Sequence, residues 1–139
     1  MGKKINEVFL NDYMSLDKNC CEKFGIITGG ITEYINRLNN ARFAPGRDDV
    51  LPRLVRYRNI RNKMAHEPHT LTKSEEITKA DVKWIRAFDK SMNKKKDPMS
   101  LYLRKARRFV RRRRLRRVLY ALLAILIAVG AVAAYITFG

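Results

Sequence analysis

Cysteine is nearly absent from this chain, and its two copies, Cys20 and Cys21, are adjacent. Neighbouring thiols are poor partners for each other, so no disulfide framework is expected and both read as free thiols in a reducing cytosol. Alone, the pair falls short of a metal site. Histidine is limited to His66 and His69. The segment His66-Glu67-Pro68-His69 is not the zinc motif H-E-x-x-H, because Thr70 holds the final position and Pro68 breaks the helix that would align the ligands. No metal and no cofactor is therefore expected. Strand-like runs and internal repeats are missing too, which points to an all-α fold. No apolar run precedes the soluble part, so no secretory signal peptide is expected. The opening MGKKIN puts Asn6 where a myristoylation signal wants Ser or Thr, which argues against lipidation. Acids are scarce: 13 Asp and Glu stand against 30 Lys and Arg, for a net charge of +17.

Against these absences stands one long apolar run. Residues 118–138 read VLYALLAILIAVGAVAAYITF and carry no charge. At about 1.5 Å rise per residue they make a helix roughly 31 Å long, which matches a bilayer core of about 30 Å. The alternative, a buried core helix, would normally keep a polar face. Residues 104–117, just before the run, hold ten Lys and Arg and no acid. This reads as a basic juxtamembrane helix over 98–117 followed by a single transmembrane helix over 118–138. Arg111, Arg112, Arg113, Arg114, Arg116 and Arg117 are expected among anionic lipid head groups. Basic residues beside a span stay on the cytoplasmic side, so residues 1–117 should face the cytosol with the C-terminus across the membrane. Tyr120 and Tyr135 fall near the two ends, where aromatic belts sit.

The ten collar charges leave +7 for residues 1–103. Most of the apparent nucleic-acid signature is thus membrane topology, and the remainder favours a polyanionic partner only weakly. The length allows one small domain, residues 1–97, beside the anchor. Its core must be thin, and dimerisation would help it.

Taken in order, residues 4–10 suggest a short helix with Ile5, Val8 and Phe9 on one side. From about Ser15, the apolar positions Leu16, Cys20, Phe24, Ile27, Ile31, Ile35 and Leu38 step by three or four, predicting one long amphipathic helix or two stacked end to end. Gly25, Gly29 and Gly30 weaken that helix, or mark a kink or a close helix approach. Residues 39–47 form a loop around Pro45-Gly46. Asp48 or Asp49 can cap a basic helix with Pro52 in its first turn and with Leu51, Leu54, Val55 and Met64 toward the core; Pro68 should end it near Glu67. After a loop over residues 66–74, Thr78 and Asp81 resemble a capping box opening a helix with Val82, Trp84, Ile85 and Phe88 inside. Asp97 and Pro98 then start a helix that can run unbroken through the collar into the membrane. The expected fold is all-α, a four-to-five-helix cytosolic bundle joined to one span.

One segment could carry chemistry. Arg58, Asn62 and His66 are spaced by four, forming a polar stripe on a helix, with Arg61 beside it. Arginine, amide and imidazole together suit a phosphodiester. Arg61 would stabilise phosphate charge, Asn62 would position the phosphate, and His66 could move a proton between a 2′-hydroxyl and the leaving oxygen. Arg58 and Lys63 would add substrate-binding charge.

Here the chain resembles the HEPN domains (higher eukaryotes and prokaryotes nucleotide-binding). Arg61-Asn62-x-x-x-His66 matches their R-x(4–6)-H motif, with a polar residue after the arginine, late in a helix. The resemblance covers roughly residues 4–97. It implies a helical bundle, usually dimeric; in the active members two motif copies meet across the dimer and cut RNA without a metal. Many active members carry an acid on an earlier helix that orients the arginine, and Glu22 and Glu33 are the candidates. Many other members bind or scaffold without catalysis, so a tail-anchored interaction module or oligomeric membrane effector, binding RNA or a protein partner, is the alternative. A plainer reading of the motif pairs Arg61 with an acid such as Glu33, lets Asn62 cap locally and lets His66 simply end the helix. Gly130 and Ala134 form a small-xxx-small pair compatible with association of spans into a homodimer or higher homo-oligomer. A pore ranks last, since the span has no polar stripe beyond Thr137 and the tyrosines.

Overall fold

The computed structural model describes residues 2–66 and 76–139. Five helices follow one another: α1 (Gly2–Phe24), α2 (Gly30–Asn40), α3 (Arg47–His66), α4 (Lys79–Asn93) and α5 (Pro98–Phe138). No strand occurs among the described residues. Two compact units divide the chain, Met1–Tyr102 and Leu103–Gly139.

In the first unit, a single helix replaces the short and long helices expected at the N-terminus. Phe9, Tyr13, Leu16 and Cys20 form the buried face of α1, at helical spacing. The chain does not continue end to end into α2. Gly25 and Gly29 take φ of 68° and 72°, a region glycine enters without steric cost, so α1 stops and the chain turns back. Ile27 was expected on the apolar stripe, but it sits on this turn and is 96% exposed. Side-by-side packing of α2 on α1 depends on Gly30. A Cβ there would lie 2.5 Å from the Cys21 amide nitrogen and 2.7 Å from Cys20 Cβ. Ile31, Tyr34, Ile35 and Leu38 complete the buried face of α2.

α3 starts at Arg47, so Asp48 and Asp49 lie inside its first turn rather than capping it, and Pro52 falls in the second turn. Of the four residues expected in its core, only Leu54 is fully buried. Leu51, Val55 and Met64 pack at the margin, while Val50, Tyr57 and Ile60 fill the centre. Hydropathy alone hides Tyr57, whose hydroxyl is satisfied by donating to Asp81 at 2.8 Å. The expected stop near Glu67 and Pro68, and the loop after His66, lie outside the described residues.

The capping box of α4 is present: Thr78 Oγ1 accepts from the Asp81 amide, and Asp81 accepts from the Thr78 amide at 2.8 Å. Asp81 also accepts from Arg56 at 2.8 Å, so one carboxylate caps α4 and ties it to α3. Burial pushes this carboxyl up, but the bonds from Thr78, Tyr57 and Arg56 hold it below the usual range. Val82, Ile85 and Phe88 are buried as expected. Trp84 is half-buried and stacks on Phe88 with ring centroids 5.1 Å apart.

Asp97 caps α5, and Pro98 is its first residue, as expected. The Asp97 carboxylate is fully buried and takes three bonds: the capping bond from Ser100 N–H at 3.2 Å, and bonds from Tyr34 Oη at 2.7 Å and Lys23 Nζ at 3.0 Å.

The second unit is helical to Phe138. Its residues are exposed throughout. One C-terminal helix is long and apolar enough to cross a membrane. The Thr137 hydroxyl is satisfied within the helix by the Ala133 carbonyl at 2.9 Å.

Candidate functional site

A cleft of about 410 Å³ opens between α1, the α1–α2 turn and α3. From α3 it receives Arg58, Arg61 and Asn62; from α1 it receives Tyr13, Met14, Asp17 and Cys21; the turn adds Ile27 and Gly29. Arg58 and Arg61 are three apart and Asn62 is four from Arg58, so helical geometry puts all three on one wall. Arg61 Nη1 donates to Asn62 Oδ1 at 3.2 Å, which holds the amide against the guanidinium.

Asp17 faces this wall and was not among the expected residues. Its Oδ1 accepts from the Ile31 amide at 2.8 Å. Asp17 therefore satisfies an open N–H at the start of α2, where Gly29 supplies no side-chain cap. The signal for Asp17 lies in the turn, not in the residue: only when α2 folds back at Gly25 and Gly29 does Asp17 meet the α2 N-terminus, in the cleft that the α3 arginines also line. The Tyr13 hydroxyl is pushed up to about 12, mainly by burial and then by Asp17, while Arg61 and Arg58 pull the other way.

The two acids expected to orient Arg61 are elsewhere. Glu33 accepts from Arg37 at 2.6 Å, one turn along α2. Glu22 lines a separate depression with Asn19, Lys23 and Met92. Five residues after Asp17, it is rotated by about 140° around α1 from the cleft. The plainer pairing of Arg61 with Glu33 fails for the same reason.

His66 is also outside the cleft lining. It is the last residue of α3, exposed, and Lys63 is likewise exposed beyond the lining. On one helix Arg61 and His66 are separated by a rise of about 7.5 Å and a rotation of about 140°. The three groups expected to converge are therefore split: Arg61 and Asn62 share the cleft with Arg58, and His66 stands apart. Among the described residues no cluster of three or more His, Cys, Asp and Glu could hold a metal ion. The collar residues Arg111, Arg112, Arg113, Arg114, Arg116 and Arg117 are all exposed on α5.

Nothing among curated proteins or solved structures matches the chain. Residues 7–118, spanning most of α1 through the basic collar, match DUF6548, a family of unknown function, and the chain belongs to that family.

Proposed function

We propose that this protein is a membrane-anchored, HEPN-like ribonuclease that binds RNA phosphodiesters at the α1–α3 cleft and acts as a dimer on the cytosolic face. The observation carrying this reading is the cleft wall on which Arg58, Arg61 and Asn62 stand together, opposite Asp17. Two guanidinium groups on one wall suit the phosphate backbone. In this reading Asp17, on the earlier helix α1 and lining the same cleft, is assigned the part of the acid that orients the arginine.

Cleavage would proceed by attack of the RNA 2′-hydroxyl oxygen on phosphorus. The 2′ proton leaves, the P–O5′ bond breaks, and the departing oxygen takes a proton, giving a 2′,3′-cyclic phosphate and a 5′-hydroxyl. Arg61 stabilises the charge on the phosphate, Asn62 fixes the guanidinium, and His66 transfers the proton. Because His66 stands apart from the cleft of its own chain, this reading assigns the proton transfer to the His66 of a second copy. The single span, with its basic collar on the cytosolic side, keeps two copies in one plane and raises their effective concentration. The collar arginines sit among anionic head groups.

The test compares full-length wild type, Arg61→Ala and His66→Ala, for RNA integrity in cells and with detergent-purified protein. RNA loss confined to the wild type, with 2′,3′-cyclic phosphate ends, supports the reading. Unchanged cleavage by His66→Ala overturns the mechanism.

A second reading is favoured by the exposed, separate position of His66: a tail-anchored interaction module that binds RNA or a protein without cutting it. It predicts intact RNA in all three strains and loss of function when the bundle is severed from the span.

A further inference from the structure

On a different face, the N-terminal turns of α1 and α4 enclose an apolar groove of about 500 Å³. Its floor is Ile5, Val8 and Val82, and its rim is Lys4, Lys79, Lys83 and Arg86. Arg86 is engaged by Asp12 at 2.7 Å. Lys4, Lys79 and Lys83 are exposed and have no ion pair among the described residues. The groove has no part in the α1–α3 cleft and shares no residue with it.

Size and charge select the occupant. A volume of about 500 Å³ lies within the roughly 300–1,000 Å³ of small-ligand sites. A helical partner would need apolar anchors at i, i+3, i+4 and i+7 and a surface of about 1,200–2,000 Å² for a stable complex. Three floor residues offer far less than that. They suit one alkyl chain, and three unpaired ammonium groups suit an anionic head. We propose that this groove holds one acyl chain of an anionic phospholipid, with its phosphate at Lys4, Lys79 and Lys83. The source is the bilayer, so the proposal rests on the anchoring read above but not on nuclease activity.

The experiment uses full-length protein in phosphatidylcholine vesicles carrying phosphatidylglycerol with a diazirine in one acyl chain. After photolysis, adducts are mapped by mass spectrometry. Adducts on residues 118–138 report insertion and serve as the internal standard. The expected result is a second set on peptides holding residues 4–8 and 79–86. That set should fall at least fivefold in the Lys79→Glu/Lys83→Glu variant with the span adducts unchanged. The surface changes leave the core intact, which circular dichroism verifies, and Val8→Trp, which fills the groove, should lower the same set. Adducts confined to the span overturn the proposal, as does a groove set unaffected by both variants. Equal groove labelling by the phosphatidylcholine analogue overturns the assignment of the lysines to an anionic head. Protection by an acidic amphipathic peptide, without lipid adducts, would give the groove to a protein partner instead.

Discussion

The Tyr34 hydroxyl donates to Asp97 Oδ2 at 2.7 Å across 63 residues of sequence, and the same hydroxyl accepts from the Met99 amide at 3.2 Å. This pair fastens the first turn of α5 to α2. Lys23 adds α1, reaching Asp97 at 3.0 Å and Ser100 Oγ at 2.6 Å. The bundle therefore ends after α5 has begun, and not at the Asp97–Pro98 boundary that composition suggests.

Removing the carboxylate should be costly. Asp97→Ala leaves Lys23 and the buried Tyr34 hydroxyl without their acceptor and uncaps α5, for an expected loss of about 3–5 kcal/mol. The acid dependence follows from the same bonds. Burial pushes the Asp97 carboxyl up, but Ser100, Tyr34 and Lys23 together hold it below its ordinary value. A folded value below the unfolded one, about 3.9, means the stabilisation is complete above that pH and is lost as pH falls through the folded value. Urea unfolding of the full-length protein in detergent between pH 7 and pH 3 checks this. Wild type should lose stability at the acid end, and Asp97→Asn should start lower and change less.

Fragment boundaries provide a second check. A fragment of residues 1–102 keeps Met99, Ser100 and the α5 cap, whereas one of residues 1–97 discards them. The longer fragment should melt at higher temperature by circular dichroism. Equal melting would mean that the contacts of Met99 and Ser100 contribute nothing measurable.

Gly30 and Gly29 should respond to alanine for different reasons. At Gly30 the obstacle is the α1 backbone, which cannot rotate away as a side chain can. Gly30→Ala should cost about 1–3 kcal/mol by overpacking. Gly29 has open space around it but a φ of 72°, so Gly29→Ala should cost about 1 kcal/mol through the backbone alone. Chemical denaturation of both variants separates the cases: a Gly30→Ala cost below that of Gly29→Ala would contradict the close packing of α1 and α2.

What could be read from the chain, and what could not, divides along physical lines. The Thr78–Asp81 box, the Asp97-Pro98 start and the uncharged run over 118–138 are local signals, and all three appear where expected. Long-range partners were not legible. The step pattern through Ile27 predicts one helix or two stacked end to end, and the glycines could be read as a close helix approach, which Gly30 is; no periodicity reveals that positive φ at Gly25 and Gly29 reverses the chain. Once the chain reverses, Asp17 and not Glu22 or Glu33 lines the same cleft as the arginines. Tyr57 was missed as core because its burial depends on a carboxylate 24 residues away. The stripe Arg58-Asn62-His66 was a sound helix reading, but a shared stripe does not guarantee a shared pocket.

Asp17 offers the sharpest test of the cleft, because its two roles predict opposite effects. As a cap, it needs only an acceptor for the Ile31 amide, which Asn retains, so Asp17→Asn should change stability little. As a charge, it stands opposite Arg58 and Arg61 and repels any phosphate entering the cleft. Its neutralisation should tighten RNA binding by about 2–5-fold at low salt, on the scale of a partly exposed charge pair, and the gain should shrink as salt screens it. Arg58→Ala should weaken binding across sequences and lower the salt slope by about one. If Asp17 also positions Arg61 for cleavage, Asp17→Asn should bind RNA more tightly yet cut it more slowly, a split that loss of folding cannot produce. Fluorescence anisotropy with a single-stranded RNA, read beside cleavage of the same RNA by the same protein, resolves these outcomes. Unchanged binding in both Asp17→Asn and Arg58→Ala would remove the cleft from any account of RNA recognition.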